Sequence, residues 1–134
     1  MGAWDTSSFG NDTANGWMED LEEHKDLSYI DITLQTVLDA GENSIKGRDA
    51  ERAVAAAEVV ARLFGKSTLV DTYTETIARW AEAHPIKPTP ALIAKAAAVV
   101  DRIGRPPSDL LELWEHCAAE WAESLADLRN RLMV

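Results

Sequence analysis

Apolar residues along this chain return every three or four positions rather than every second one, and the spacing persists from about residue 12 to the C-terminus. The pattern predicts six helices. The first spans about 12–24, capped by Asn11 or Asp12, with Ala14, Trp17, Met18 and Leu21 on one face. Asp26 opens the second, whose stripe is Leu27, Ile30, Leu34, Val37 and Leu38 and whose end is marked by Ala40-Gly41. After a polar loop, Asp49 begins the third, with Ala50, Ala53, Val54, Ala57, Val60, Ala61 and Phe64 on one broad face before Gly65. Its alanines let neighbouring helix axes come close, which predicts a central position in the bundle. The fourth spans about 68–83 through Leu69, Tyr73, Ile77 and Trp80, and Pro85, Pro88 and Pro90 stop it. Thr89-Pro90 reads as N-cap and first residue of the fifth, which carries Leu92, Ile93, Ala96, Ala97, Val100 and Ile103 up to Gly104. Ser108 caps the last, marked by Leu111, Trp114, Ala118, Trp121, Leu125, Leu128 and Leu132.

The expected fold class is therefore all-α: a compact single domain over 1–134, made of a helical bundle (12–134) preceded by an N-terminal arm (1–11). No motif recurs at the period of a repeat solenoid. At 134 residues the chain is long enough to bury a core without staples, and one cysteine, Cys117, makes a disulfide framework untenable and fits a reducing cytoplasm. There is no run of about 18 apolar residues and no basic-then-apolar leader, so a cytoplasmic location and no membrane association are expected.

Charge bounds the function more tightly than composition does. The chain carries 23 acids against 13 Lys and Arg, a net of −10. Ten of the acids and only Lys25 among the bases fall in residues 1–44, leaving −9 there and −1 over the rest. Such a field disfavours direct contact with nucleic acid phosphate or an anionic bilayer. It suits either a plain solvated face or a docking surface for a basic protein, with Glu19, Asp20, Glu22, Glu23 and Asp26 as the candidate binding residues.

Chemistry-bearing motifs are sparse. Glu112, His116, Glu120 and Glu123 share one polar helix face, which reads as solvated surface because no H-E-x-x-H or E-x-x-H pair accompanies it; no metal is expected. His116 beside Cys117 points about 100° away on a helix and cannot activate the thiol. No phosphate loop, dinucleotide fingerprint or nucleophile elbow appears, so no cofactor is expected. Glu58 interrupts the apolar run of the third helix. It is either a boundary ion pair with Arg62, one turn on, or a partly buried carboxylate that accepts hydrogen bonds from the N-terminal segment.

That segment reads Gly2-Ala3-Trp4-Asp5-Thr6-Ser7-Ser8-Phe9-Gly10-Asn11-Asp12-Thr13-Ala14-Asn15-Gly16-Trp17. Trp4 and Phe9 in a polar, glycine-containing arm suggest an aromatic strap across the bundle. The stretch resembles the opening G-A-W-G-x-G-x-F-x-N-D-x-A-x-D-W of an uncharacterised bacterial domain-of-unknown-function family, and Ala55-Ala56-Ala57-Glu58-Val59-Val60-Ala61 is similar to its central A-A-A-E-V-V-A. Gly2, Ala3, Trp4, Phe9, Asn11, Asp12, Ala14, Trp17 and Glu58 match the pattern, whereas Asp5 and Ser7 replace glycines and Gly16 replaces an acid. The resemblance implies one helical domain and no particular activity.

Three readings of function follow. The first is a non-enzymatic acidic module that binds a basic protein, for example an immunity-type inhibitor or modulator, with its oligomeric state open. The second is a small hydrolase-like enzyme with a polar site of Asp5, Asn11, Asp12 and Glu58 under the arm. An acidic decoy for a nucleic-acid-binding protein is a third.

Overall fold

The computed structural model describes residues 12–64, 75–113 and 118–132. Within them lie seven helical segments: α1 (Asp12–Leu21), α2 (Ser28–Asp39), α3 (Gly47–Leu63), α4 (Glu75–Ala83), α5 (Pro90–Ile103), α6 (Asp109–Leu113) and α7 (Ala118–Arg131). The architecture among the described residues is all-α. Its one β-type contact there is an isolated parallel bridge between Ile45 and Ser108. The arm, with Trp4, Asp5, Phe9 and Asn11, lies outside the described residues, as do Leu69, Tyr73, Trp114, His116 and Cys117. Segments α6 and α7 flank residues 114–117, across which the spacing predicts one continuous helix.

The alanine-rich third helix is central, as its composition predicts. Every residue from Ala53 to Ala61 is buried, Glu58 included, and α3 packs against each of the other six segments. A helix buried on all sides must be apolar all round, and small side chains are what let several neighbours reach it at once. Trp17, Met18 and Leu21 of α1, Ile30, Leu34 and Val37 of α2, Ile93, Val100 and Ile103 of α5, and Trp121, Leu128 and Leu132 of α7 complete the core.

Helix ends show where tertiary contacts override local signals. The first helix stops at Leu21, three residues earlier than the spacing predicts. Glu23 N–H and His24 N–H donate to the carbonyls of Asp20 and Leu21, tightening the last turn to i→i−3 bonds. The carbonyl of His24 then accepts from the Trp80 indole at 3.0 Å. Asp26 accepts from Ser28 N–H (3.0 Å) and Ser28 Oγ (2.6 Å), so the second helix begins two residues past it. Gly41 follows the helix at φ 58, a left-handed turn that glycine adopts without penalty. Thr89 Oγ1 caps α5 by accepting from Leu92 N–H at 3.1 Å, as expected. The third helix starts two residues earlier than Asp49, and its first amide, Gly47 N–H, donates to Asp109 Oδ2 at 3.3 Å. A carboxylate at a helix N-terminus satisfies an orphan donor and complements the dipole, and here it comes from a distant part of the chain.

Candidate functional site

Four arrangements could carry function. The first is the acidic run at the end of α1. Glu19, Asp20, Glu22, Glu23 and Asp26 are all exposed, and none of the five lies within ion-pair distance of a Lys or Arg among the described residues. Their spacing is positional rather than accidental. Trp17, Met18 and Leu21 bury one side of α1, which leaves the acids the other side and the turn that follows. Asp26 is held ionised to a pH below the usual aspartate range by the hydrogen bonds from the Ser28 side chain and backbone.

The second is a cleft of about 320 Å3 beside that run, between α1, α2 and α3, lined by Trp17, Asp20, Tyr29, Ile32, Thr33, Thr36, Asp49 and Arg52. Trp17, Tyr29 and His24 stack here, with centroids 5.4 Å apart for Trp17–Tyr29 and 4.4 Å for His24–Tyr29. The indole N–H of Trp17 donates to Thr33 Oγ1 at 2.8 Å. Burial, reinforced by the negative charge of Asp20, raises the Tyr29 hydroxyl above its usual range; Arg52 works in the opposite direction. Ile32, 63% exposed, stands at the rim as the exposed large hydrophobic side chain of the described residues.

The third is the Glu58 site. Its carboxylate is buried and held by Arg131 through two parallel bonds, Nη1 to Oε2 at 2.5 Å and Nη2 to Oε1 at 2.6 Å. The Arg131 side chain is itself only 9% exposed, and its Nε also reaches Asp127 Oδ2 at 3.0 Å. Burial works against the guanidinium's charge. The hydrogen bonds and charges of Glu58 and Asp127 outweigh it, so Arg131 is held above the ordinary arginine range. With both oxygens accepting from Arg131, Glu58 is arranged to hold two helices together rather than to abstract a proton. The carboxylate is buried and its bidentate partner is Arg131 of α7, 73 residues on, while the N-terminal segment expected to donate to it lies outside the described residues. Asp12 is the first residue of α1, and Asp5 and Asn11 lie outside the described residues.

The fourth arrangement has no counterpart in the sequence reading. Arg102, 8% exposed, spreads its guanidinium over four carbonyl oxygens: Gly41 (3.2 Å), Asn43 (2.9 Å), Arg105 (3.0 Å) and Pro107 (3.1 Å). It ties the loop after α2 to the loop after α5. The Ile45 backbone extends the tie, its N–H donating to Pro107 O and its carbonyl accepting from Asp109 N–H. A cation on the buried side of the last turn of α5 was the available signal, since Arg102 neighbours Ile103 and follows Val99 by three.

Glu112, Glu120 and Glu123 are exposed, and no group of three or more metal-ligating side chains converges among the described residues. No helix among them is long and apolar enough to cross a membrane.

The class these observations define is a helical bundle domain with a buried ion-pair latch and an acidic, cleft-bearing edge. Residues 2–124 match the sequence model of the domain of unknown function DUF4259, and the chain belongs to that family. Neither a curated protein nor a solved structure matches it.

Proposed function

We propose that this chain is a non-enzymatic protein-binding module whose acidic edge, Glu19, Asp20, Glu22, Glu23 and Asp26, holds a basic protein partner in the manner of an immunity-type inhibitor or modulator. The observation that carries the reading is that five acids within eight residues are all exposed and none is within ion-pair distance of a Lys or Arg among the described residues. Some acids elsewhere in the bundle are compensated: Asp31 pairs with Lys95, Asp101 with Arg129, and Asp127 with Arg131. Unpaired like charges repel one another and lower stability slightly, so a patch of them is better suited to an external cation than to the fold. Ile32 adds an apolar contact next to the charged rim, the mixture found where an interface core meets its surround.

The second reading, a small hydrolase, draws less support, because Glu58 of its polar set is occupied by Arg131. The test is capture followed by comparison. A protein retained from the source cell by the immobilised chain should be basic, should elute on raising salt, and should be lost when Glu19, Glu22 and Glu23 are all replaced by lysine. Retention of an uncharged or acidic protein that ignores both salt and the triple replacement would remove this reading.

A further inference from the structure

We propose that the cleft between α1, α2 and α3 is a socket for an arginine side chain of the partner, a step that rests on the docking reading above. The Thr33 hydroxyl donates to the carbonyl of Tyr29 at 2.8 Å while its oxygen accepts from Trp17, and the Thr36 hydroxyl donates to the carbonyl of Ile32 at 3.0 Å. Both threonine hydroxyls lining the cleft have therefore committed their hydrogens and turn only acceptor capacity inward. Asp20 and Tyr29 share the lining, and the negative charge of Asp20 favours the protonated hydroxyl.

Asp20 and Asp49 add two carboxylates. Asp49 is half-buried and has no ion pair or hydrogen bond to its carboxylate among the described residues. Arg52 is the sole cationic donor in the lining, is exposed, and lies within 4 Å of neither acid. A cleft with two carboxylates, two committed threonine hydroxyls and one exposed cation paired with neither acid is short of donors, and a donor-rich cation completes it.

Size and shape narrow the occupant. Small-molecule sites begin at about 300 Å3, so roughly 320 Å3 accommodates one long side chain rather than a cofactor. A guanidinium presents five N–H donors in a planar fork and tolerates partial burial better than an ammonium. The Trp17–Tyr29–His24 stack supplies a wall fixed before binding, and Ile32 offers apolar surface at the rim to the methylenes of the side chain. The cleft adjoins the acidic run and shares Asp20 with it, so a basic partner drawn by the field meets a specific socket.

The experiment uses the full chain, isotope-labelled, titrated with acetyl-Gly-Arg-Gly-amide and followed through the Trp17 indole N–H and the backbone amides of Tyr29 and Arg52. Saturable shifts confined to the cleft are expected at a dissociation constant of about 1–10 mM, the range for so small a ligand. D49N, and independently D20N, should each weaken binding about five- to tenfold, whereas E22Q/E23Q, outside the cleft, should change it less than about twofold. Stronger binding of acetyl-Gly-Glu-Gly-amide would overturn the proposal and make Arg52 the determinant of an anion site. Absence of saturable shifts at Trp17, with the partner still captured and still lost in the Glu19, Glu22 and Glu23 lysine variant, would overturn the socket alone. Cleft binding that persists while that variant keeps its partner would instead overturn the docking reading and leave the socket standing.

Discussion

Arg131, at the last position of the final helix, closes on Glu58 in the middle of the central one, and the two side chains meet as a buried bidentate pair joining residues 73 apart. The relationship makes the C-terminal helix part of the core rather than an appendage. Removing one partner leaves the other charged and desolvated, so E58Q or R131M should each cost about 3–5 kcal/mol in urea denaturation. The double variant E58M/R131L, which removes both charges, should recover much of that loss. A double variant as unstable as the sum of the two singles would show that the pair acts only through packing.

Arg102 predicts a local rather than a global effect. In R102M four carbonyls of the two adjoining loops lose the guanidinium, and of these Pro107 O keeps the Ile45 N–H. Stability should fall by about 2–4 kcal/mol. Amide exchange at Ile45 and Asp109, whose N–H groups bridge those loops, should accelerate more than at Val59 or Val60 in the core. Uniform acceleration across all four would contradict the clasp.

Two titrations check the electrostatics of the acidic edge. Asp26 should titrate below its ordinary 3.8, and S28A should return it toward that value. The sign follows from the lowered value: the contribution is present above pH 3.8 and is lost as pH falls through the folded pKa, so S28A should narrow the stability difference between neutral and acid pH. An unchanged Asp26 titration in S28A would contradict the assigned hydrogen bonds.

Tyr29 should ionise above its ordinary 10.0, read from the ultraviolet absorbance of tyrosinate with Y73F removing the second tyrosine. Burial is the larger cause and Asp20 the next, so D20N should lower the value partway. Because the folded pKa is raised, the contribution to stability is complete below pH 10.0 and declines as pH rises toward the folded value. A tyrosinate transition in D20N identical to the parent would show that the charge of Asp20 does not act on Tyr29.

Much of the fold was legible because helix stripes, caps and stops are local. The faces of α1, α2 and α5, the Thr89 cap and the Gly41 stop all follow from residues within one or two turns of each other. The site was legible only in part. The exposure of Glu19 to Asp26 follows from the opposite stripe of Trp17, Met18 and Leu21. The partner of Glu58 does not: local spacing suggests Arg62, whereas the bidentate donor arrives from another helix, and nothing along α3 marks which helix that is. The same holds for Asp109 capping Gly47 and for Arg102, which looks like an ordinary cation near a helix C-terminus until the loops it holds are folded against it. The cleft was invisible for a further reason: its donor deficit depends on where hydroxyl hydrogens point, which the backbone of α2 decides.

If the acidic edge steers and holds a basic partner, the association rate must depend on ionic strength. With the captured partner, the parent chain should associate fast at low salt and slow steeply as salt rises, because steering sums over many exposed charges before contact. The E19K/E22K/E23K variant should associate at least about tenfold more slowly at low salt, with a much flatter salt slope. Its urea midpoint should stay close to the parent's, since exposed charges of this kind shift stability by only about half a kcal/mol each. An unchanged rate and salt slope in a folded triple variant would contradict the account and leave the edge as solvated surface.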